Sequence, residues 1–289
     1  MTPADQNALH SVTLSVGGIT IEGFSRSGVA TWLLIPEFGV MFDAGECPLA
    51  AVPYEHVFLT HVHGDHSRCL LRHWQLRQMF NLKPAATYYV PESSLVGFCH
   101  IVNAEASMEG VITTEYPNFE FLDNYERTPL KKGVWVEAFP VTHRVPSQGF
   151  TVGRTVQKLK PEYAHLEGAA IGALRKAGTV VTDSVETPVV TFIGDCVGAS
   201  LKDERHIWTS KVVIIECTYI EDEDVEAAAE RGHTHLNEII DLLRSLDAPE
   251  CDAVVLKHFS LKCSPNRIRE LVASRVPASW ASRVHLLLP

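Results

Sequence analysis

His61-Val62-His63-Gly64-Asp65-His66 places four metal-competent side chains within six residues. The residues just before it, 57–60 (Val-Phe-Leu-Thr), are apolar or β-branched and read as a buried strand running into the motif. Ser67 follows as an N-cap for a helix carrying Leu70, Leu71 and Trp74. A ligand cluster on such a strand-to-helix turn is rigidly held and still open to substrate. The alternation lets His61 and His63 face one ion while Asp65 and His66 face a second. Imidazole with a carboxylate suits zinc, and less exclusively manganese or iron. The competing reading is a histidine-rich surface loop.

The bulk properties frame that motif. The 289 residues are long for one domain and can bury a large core. A hydrophobic share of 46% with 21% charged residues is that of a globular protein without a membrane span, since no run approaches the ~20 apolar residues a span needs. Residues 1–10 lack the layout of a secretory leader, so a cytoplasmic protein is expected, with organelle or nucleus left open. The 7 cysteines include no C-x-x-C pair, which argues for reduced thiols and not a disulfide framework or structural zinc site.

The net charge of −10 argues mildly against nucleic acid as a partner. Its distribution argues the other way. Residues 216–230 hold seven acidic side chains and no basic one, whereas residues 144–176 hold Arg144, Arg154, Lys158, Lys160, Arg175 and Lys176 against only Glu162 and Glu167. The basic segment reads either as an anion-binding face or as a solvated surface.

Along the chain, residues 11–43 alternate and turn as antiparallel strands (11–16, 19–24, 31–35 and 40–42), with Gly17-Gly18 as a turn. Helices are expected at 68–80 and 93–107, a strand at 134–141, and a short helical pair at 161–177 broken at Gly168 and Gly178. Further strands are expected at 189–193, 212–215 and 253–256. Leu236, Ile239, Ile240 and Leu243 mark one face of an amphipathic helix. Strands first, then strands mixed with helices, predict an α/β fold with helices outside a sheet core. Polar residues follow several strands: Asp43, His61, His143, Asp195, Glu216 and His258. Such ends gather at one sheet edge, so these side chains can converge.

With these residues in view, the chain resembles the metallo-β-lactamase superfamily and, within it, ribonuclease Z in its short plant-type form. The resemblance rests on Phe42-Asp43-Ala44-Gly45-Glu46, Thr60 through His66, His143-Arg144-Val145-Pro146-Ser147-Gln148-Gly149-Phe150, and Lys158-Leu159-Lys160-Pro161-Glu162-Tyr163. It continues through Thr182-Asp183-Ser184, Gly194-Asp195, Glu216-Cys217-Thr218-Tyr219, Gly232-His233-Thr234-His235 and His258-Phe259-Ser260. It implies a four-layer αβ/βα sandwich with two mixed β-sheets and outer helices, one domain over residues 1–289, and a short substrate-arm-like segment at about 151–186.

The resemblance also implies two zinc ions. His61, His63 and His143 would hold one, Asp65, His66 and His258 the other, and Asp195 would bridge them. Glu216 and His233 would form an acid–base pair, with Asp65 orienting or deprotonating the nucleophile. Substrate contacts would come from Ser147, Lys158, Lys160, Ser260 and Lys262. The implied activity removes 3′ trailers from precursor tRNA and leaves a 3′-hydroxyl, in a homodimer. Two departures stand out: Leu261-Lys262-Cys263 replaces a small residue, Arg and Tyr, and Cys196 replaces threonine. Lysine keeps the charge but loses the planar fork that grips phosphate. A superfamily hydrolase of a small substrate (cyclic nucleotide, lactone or thioester) is the alternative, and a non-enzymatic interaction protein a third.

Overall fold

The computed structural model describes residues 11–246 and 251–288, so the reading of residues 1–10 lies outside the described residues. In the first half of the chain, β1 (Val12–Val16), β2 (Ile19–Arg26), β3 (Ala30–Ile35) and β4 (Val40–Phe42) pair antiparallel. The sheet continues parallel through β5 (His56–Phe58), β6 (Thr87–Tyr89) and β7 (Asn118–Glu120). The second half repeats this plan. Here β8 (Arg127–Lys131), β9 (Val134–Val141), β10 (Ser147–Leu159) and β11 (Thr182–Ile193) run antiparallel, and β12 (Val212–Glu216), β13 (Ala253–Lys257) and β14 (Val284–Leu286) extend the sheet in parallel. Each sheet has seven strands and is mixed.

Helices cover both outer faces. α1 (Gly64–Ser67), α2 (Leu70–Met79) and α3 (Leu95–Met108) belong to the first half. α4 (Gly168–Lys176), α5 (Gly198–Asp203), α6 (Val225–Arg231), α7 (Leu236–Ser245) and α8 (Pro265–Arg275) belong to the second. Leu70, Leu71, Phe98 and Val102 pack on the outer face of the first sheet, and Leu201, Leu236, Ile240, Ile268 and Leu271 on that of the second. Between the sheets lies a third cluster that includes Phe42, Phe58, Phe150, Phe192, Ile214 and Val255. The layers are therefore helix, sheet, sheet, helix, the sandwich expected from the sequence.

β12 and β13 are buried along their whole length, which is why they read as continuous Val/Ile runs and not as alternating ones. Their side chains still divide by face: Val254 and Leu256 point to the helices, whereas Ala253 and Val255 point between the sheets. The parallel strands of both sheets finish at the same edge, and most of the candidate site residues follow those ends.

Several expectations need correction. Ser67 is not an N-cap: it ends α1, and its hydroxyl donates to the Val62 and His63 carbonyls. Cys69 occupies the N-cap position of α2. The strand expected at 189–193 begins at Thr182, because β10 and β11 form one long hairpin whose outer half is too exposed to carry an apolar signal. β6, β7 and β14 have only three residues each, too few for periodicity, and β8 carries Pro129 on its alternating exposed run.

Phe42 and Phe192, from facing sheets, stack with centroids 4.7 Å apart and planes 7° from parallel. Phe42→Ala should cost about 3–5 kcal/mol of unfolding free energy, the usual cost of a buried aromatic cavity. Val156→Ala on the exposed outer part of β10 should stay within about 0.5 kcal/mol. Urea denaturation of both variants checks the contrast.

Candidate metal centre

The residues after β5 turn sharply: His63 starts α1 with its carbonyl accepting from the His66 and Ser67 amides. This turn directs His61, His63, Asp65 and His66 toward the edge where β9, β11, β12 and β13 end. Two groups of side chains there can each hold a cation, His61 with His63 and His143, and Asp65 with His66 and His258. Asp195 stands between them. Its Oδ2 lies 3.9 Å from His61 Nε2, 3.4 Å from His66 Nε2 and 3.3 Å from His258 Nε2.

Hydrogen bonds on the outer side of the rings fix what the inner atoms offer. His66 Nδ1 donates to Asp43 at 2.8 Å, and His143 Nδ1 donates to the Gly232 carbonyl at 2.6 Å. Thr60 Oγ1 donates to Asp43 and so accepts from His61 Nδ1 at 3.0 Å. Thr218 Oγ1 donates to Glu216 at 2.7 Å and so accepts from His258 Nδ1 at 2.9 Å. With Nδ1 so engaged, His61, His66, His143 and His258 each turn Nε2 inward. Ring nitrogens then face one another: His66 Nε2 is 3.2 Å from His258 Nε2, and His63 Nδ1 is 3.1 Å from His61 Nε2 and 3.2 Å from His143 Nε2. Lone pairs so close repel unless a cation or proton lies between them. Five imidazoles and two carboxylates arranged this way fit a metal site.

The local electrostatics agree. Burial pushes His61, His63, His143 and His258 below the ordinary imidazole value, so they are neutral donors. His66 goes the other way: burial opposes its charge, but Asp195 and Asp43 push it up to about 10. Asp65 is half-buried, which opposes its charge, yet the His258 hydrogen bond, His66 and the Gly28 amide hold it well below the carboxylate range. That amide donates to Asp65 Oδ2 at 2.7 Å.

Beside the cluster, Glu216 is fully buried and fully satisfied. Its Oε1 accepts from His233 Nδ1 at 3.0 Å and from the Cys196 and Thr234 amides, and its Oε2 accepts from the Thr218 amide and hydroxyl. Burial works against this charge, but His233 holds Glu216 below its ordinary value. In return, Glu216 raises His233 despite burial. His233 Nδ1 also lies 3.8 Å from Asp195 Oδ2, so the pair adjoins the cluster.

The backbone takes unusual conformations to reach this geometry. Asp43 and His258 both have left-handed φ, 56° and 64°, a strain found where side chains must be aimed. A Cβ on Gly194 would lie 2.7 Å from Thr60 and 2.8 Å from Ser147 Oγ, so only glycine lets Asp195 approach.

The expected substrate residues are placed differently. Ser147 is buried, and its hydroxyl donates to the Asp195 carbonyl, so it supports the cluster from below. Ser260 Oγ accepts from the Lys262 amide. Lys262 is exposed but paired with Asp224 at 2.8 Å. Lys158 and Lys160 lie out on the β10–β11 hairpin, where Lys158 is exposed and Lys160 is 3.8 Å from Asp183. Asp43, Thr60, Gly28 and Thr218 had no assigned role in the sequence. Only Asp43, a carboxylate at a strand end, left a signal there.

Fold and site together define a metallo-β-lactamase-fold hydrolase that uses metal. The chain matches the metallo-β-lactamase fold protein YhfI from Bacillus subtilis with a TM-score of 0.58 at 12% identity, over 91% of this chain and 93% of that one. Human tRNase Z, short form, matches with a TM-score of 0.55 at 18% identity, over 96% and 95%. No family model matches the chain. In sequence, tRNase Z TRZ1 of Arabidopsis thaliana is 32% identical over 277 residues, covering 95% of this chain and 96% of that protein. The chain belongs to the tRNase Z family of endoribonucleases. No described helix is long and apolar enough to cross a membrane.

Asp43→Asn should expose the tuning of His66. The amide group would face the His66 Nδ1–H as a second donor and favour the tautomer with its proton on Nε2. Metal affinity should fall about 10–100-fold, the usual cost of losing a group that orients a ligand. Equilibrium dialysis against wild type measures it, and circular dichroism should show the fold retained.

Proposed function

We propose that the chain is a dinuclear zinc phosphodiesterase that cuts precursor tRNA at its 3′ trailer and leaves a 3′-hydroxyl. The observation that carries this reading is the pair of three-residue groups on either side of Asp195, with Glu216–His233 at their flank. His61, His63 and His143 would hold one ion, Asp65, His66 and His258 the other, and Asp195 both. When bound, two such ions supply Lewis acidity and lower the pKa of water to about 7. Manganese or iron would fit the same donors less exclusively.

The protein's own groups supply the rest. Asp65, held by the Gly28 amide, is positioned to orient the attacking water. Burial works against a charge on His233, but Glu216 beside it favours the protonated ring, and Nε2 is the ring nitrogen left to protonate the departing 3′ oxygen. The β10–β11 hairpin supports a polyanionic substrate. From residue 154 to 188 it extends beyond the sheet, with Lys158, Arg175 and Lys176 exposed and Arg154 braced over the Phe38 ring at 4.9 Å. Family membership also supports a homodimer; Val96, Ile101, Met108 and Ile112 are exposed apolar residues that pairing could cover. The decisive experiment incubates the zinc-loaded protein with a 3′-extended tRNA transcript and maps the cut. A single cut at the start of the trailer is expected, and an intact transcript alongside hydrolysis of small diesters would reassign the site to a small substrate.

His233→Ala should slow cleavage of the transcript about 10²–10⁴-fold with metal content unchanged. Because His233 works as the acid and is raised by Glu216, wild-type activity should fall as pH climbs past its pKa, and the variant should lose that alkaline limb. A nitrophenyl ester, whose leaving group hardly needs a proton, should show a much smaller loss.

Replacing Lys158 and Lys160 together with Ala should raise KM for the transcript severalfold and flatten its salt dependence by about one log–log unit or less per charge. Hydrolysis of bis-nitrophenyl phosphate should barely change. Equal effects on both substrates would remove the hairpin from substrate binding.

A further inference from the structure

Lys257 is the last residue of β13, just before His258, and its side chain is fully buried. By the alternation along β13 it faces the inter-sheet core, as Ala253 and Val255 do. Its ammonium lies 4.7 Å from the Phe192 ring centroid. Among the described residues it makes no hydrogen bond, and its one ion-pair partner is Asp195, with Nζ 4.0 Å from Oδ1. Asp195 Oδ1 is likewise buried without a hydrogen-bond partner. The two oxygens of Asp195 thus have separate surroundings, Oδ2 facing the imidazoles and Oδ1 facing Lys257.

A buried ammonium is costly unless it is paired, and an apolar side chain of similar length would fill the same space beneath the aromatic stack more cheaply. The geometry points to a directing role. We propose that Lys257 is a positioning residue, whose fixed positive charge holds the outer oxygen of Asp195 and so presents the other oxygen to both groups of metal ligands. This inference rests on the dinuclear reading, in which Asp195 serves both ions. A carboxylate attached through one rotatable χ2 bond can otherwise turn either oxygen, or its edge, toward the ions. Lys257 favours one orientation before metal arrives, and the Phe192 ring below keeps the ammonium in place.

The test measures zinc affinity by competition with a chromophoric chelator in wild type, Lys257→Met, Asp195→Asn and the double variant. Wild type should hold two ions. Lys257→Met should weaken the second about 10–100-fold, in the range found for groups that orient metal ligands. Asp195→Asn should weaken it at least as much, and the double variant should match Asp195→Asn within about twofold, because Lys257 then has no carboxylate to hold. Lys257→Arg, which keeps the charge, should recover part of the loss. If Lys257→Met does not fold without metal, the comparison is made on loaded protein by the rate at which the chelator strips it, with Lys257→Gln as a second neutral variant. Wild-type behaviour in Lys257→Met, or an undiminished effect of that change in the Asp195→Asn background, would overturn the inference alone. A wild type that holds fewer than two ions would overturn it together with the dinuclear reading.

Discussion

Imidazole nitrogens that face one another across about 3 Å cannot coexist as bare lone pairs, and this repulsion is the constraint around which the site edge is built. Four of the five rings are kept from turning away by a bond behind them. Asp43 grips His66, the Gly232 carbonyl grips His143, and two threonine hydroxyls, each committed as a donor elsewhere, accept from His61 and His258. The outer bonds therefore hold an arrangement that a cation or a shared proton relaxes. Strained backbone at Asp43 and His258 is part of the same arrangement, since those two φ values aim one supporting carboxylate and one inward-facing ring.

The supports come from opposite halves of the chain. The β2–β3 turn sends the Gly28 amide to Asp65, while the amide of Ser27 and the Arg26 guanidinium bond to carbonyls at Phe259, Ser260 and Cys263. The first sheet thus reaches across to the segment after β13 at the point where His258 sits. Gln148 makes a second crossing, its amide and side chain donating to the Thr60 and Leu59 carbonyls, so the spacing of Asp65, His66 and His258 does not rest on inter-sheet packing alone.

What was legible in the sequence follows how local each feature is. His61, His63, Asp65 and His66 lie within one turn of chain, so their spacing alone announced a cluster. His143, Asp195, Glu216 and His258 showed themselves as polar residues at the ends of apolar runs, and those same runs placed helices outside a sheet core, whereas the four-layer order came with the family resemblance. The rest depends on partners distant in sequence. Gly28 acts through a backbone amide that any residue possesses. Thr218 acts because three groups from separate elements surround one hydroxyl. Lys257 in isolation reads as an ordinary cation leaving a strand, since nothing nearby says that the strand end is buried. Ser147 and Lys262 were read for their chemistry, but the Asp195 carbonyl and Asp224 engage them first. β6, β7 and β14 escaped because three residues show no period of two and, unlike β4, they do not run on from a patterned strand and turn.

The β10–β11 hairpin changes its support along its length. β10 runs unbroken from Ser147, which touches the Asp195 carbonyl, to Leu159 far out on the exposed ribbon. A uniform ladder of that length would behave as a stiff lever, and any push on its tip would arrive at Asp195. The pairing register instead slips between Val152 and Gly153, opposite Pro188, where the Trp135 ring fills the space above Gly153. The pairing to β9, however, runs through that point to Arg154, so beyond Thr155 β10 has only β11 as a strand neighbour. The ribbon past Thr155 is therefore the part of the strand with least support, and the inner part, held on both sides, keeps Ser147 against the Asp195 carbonyl.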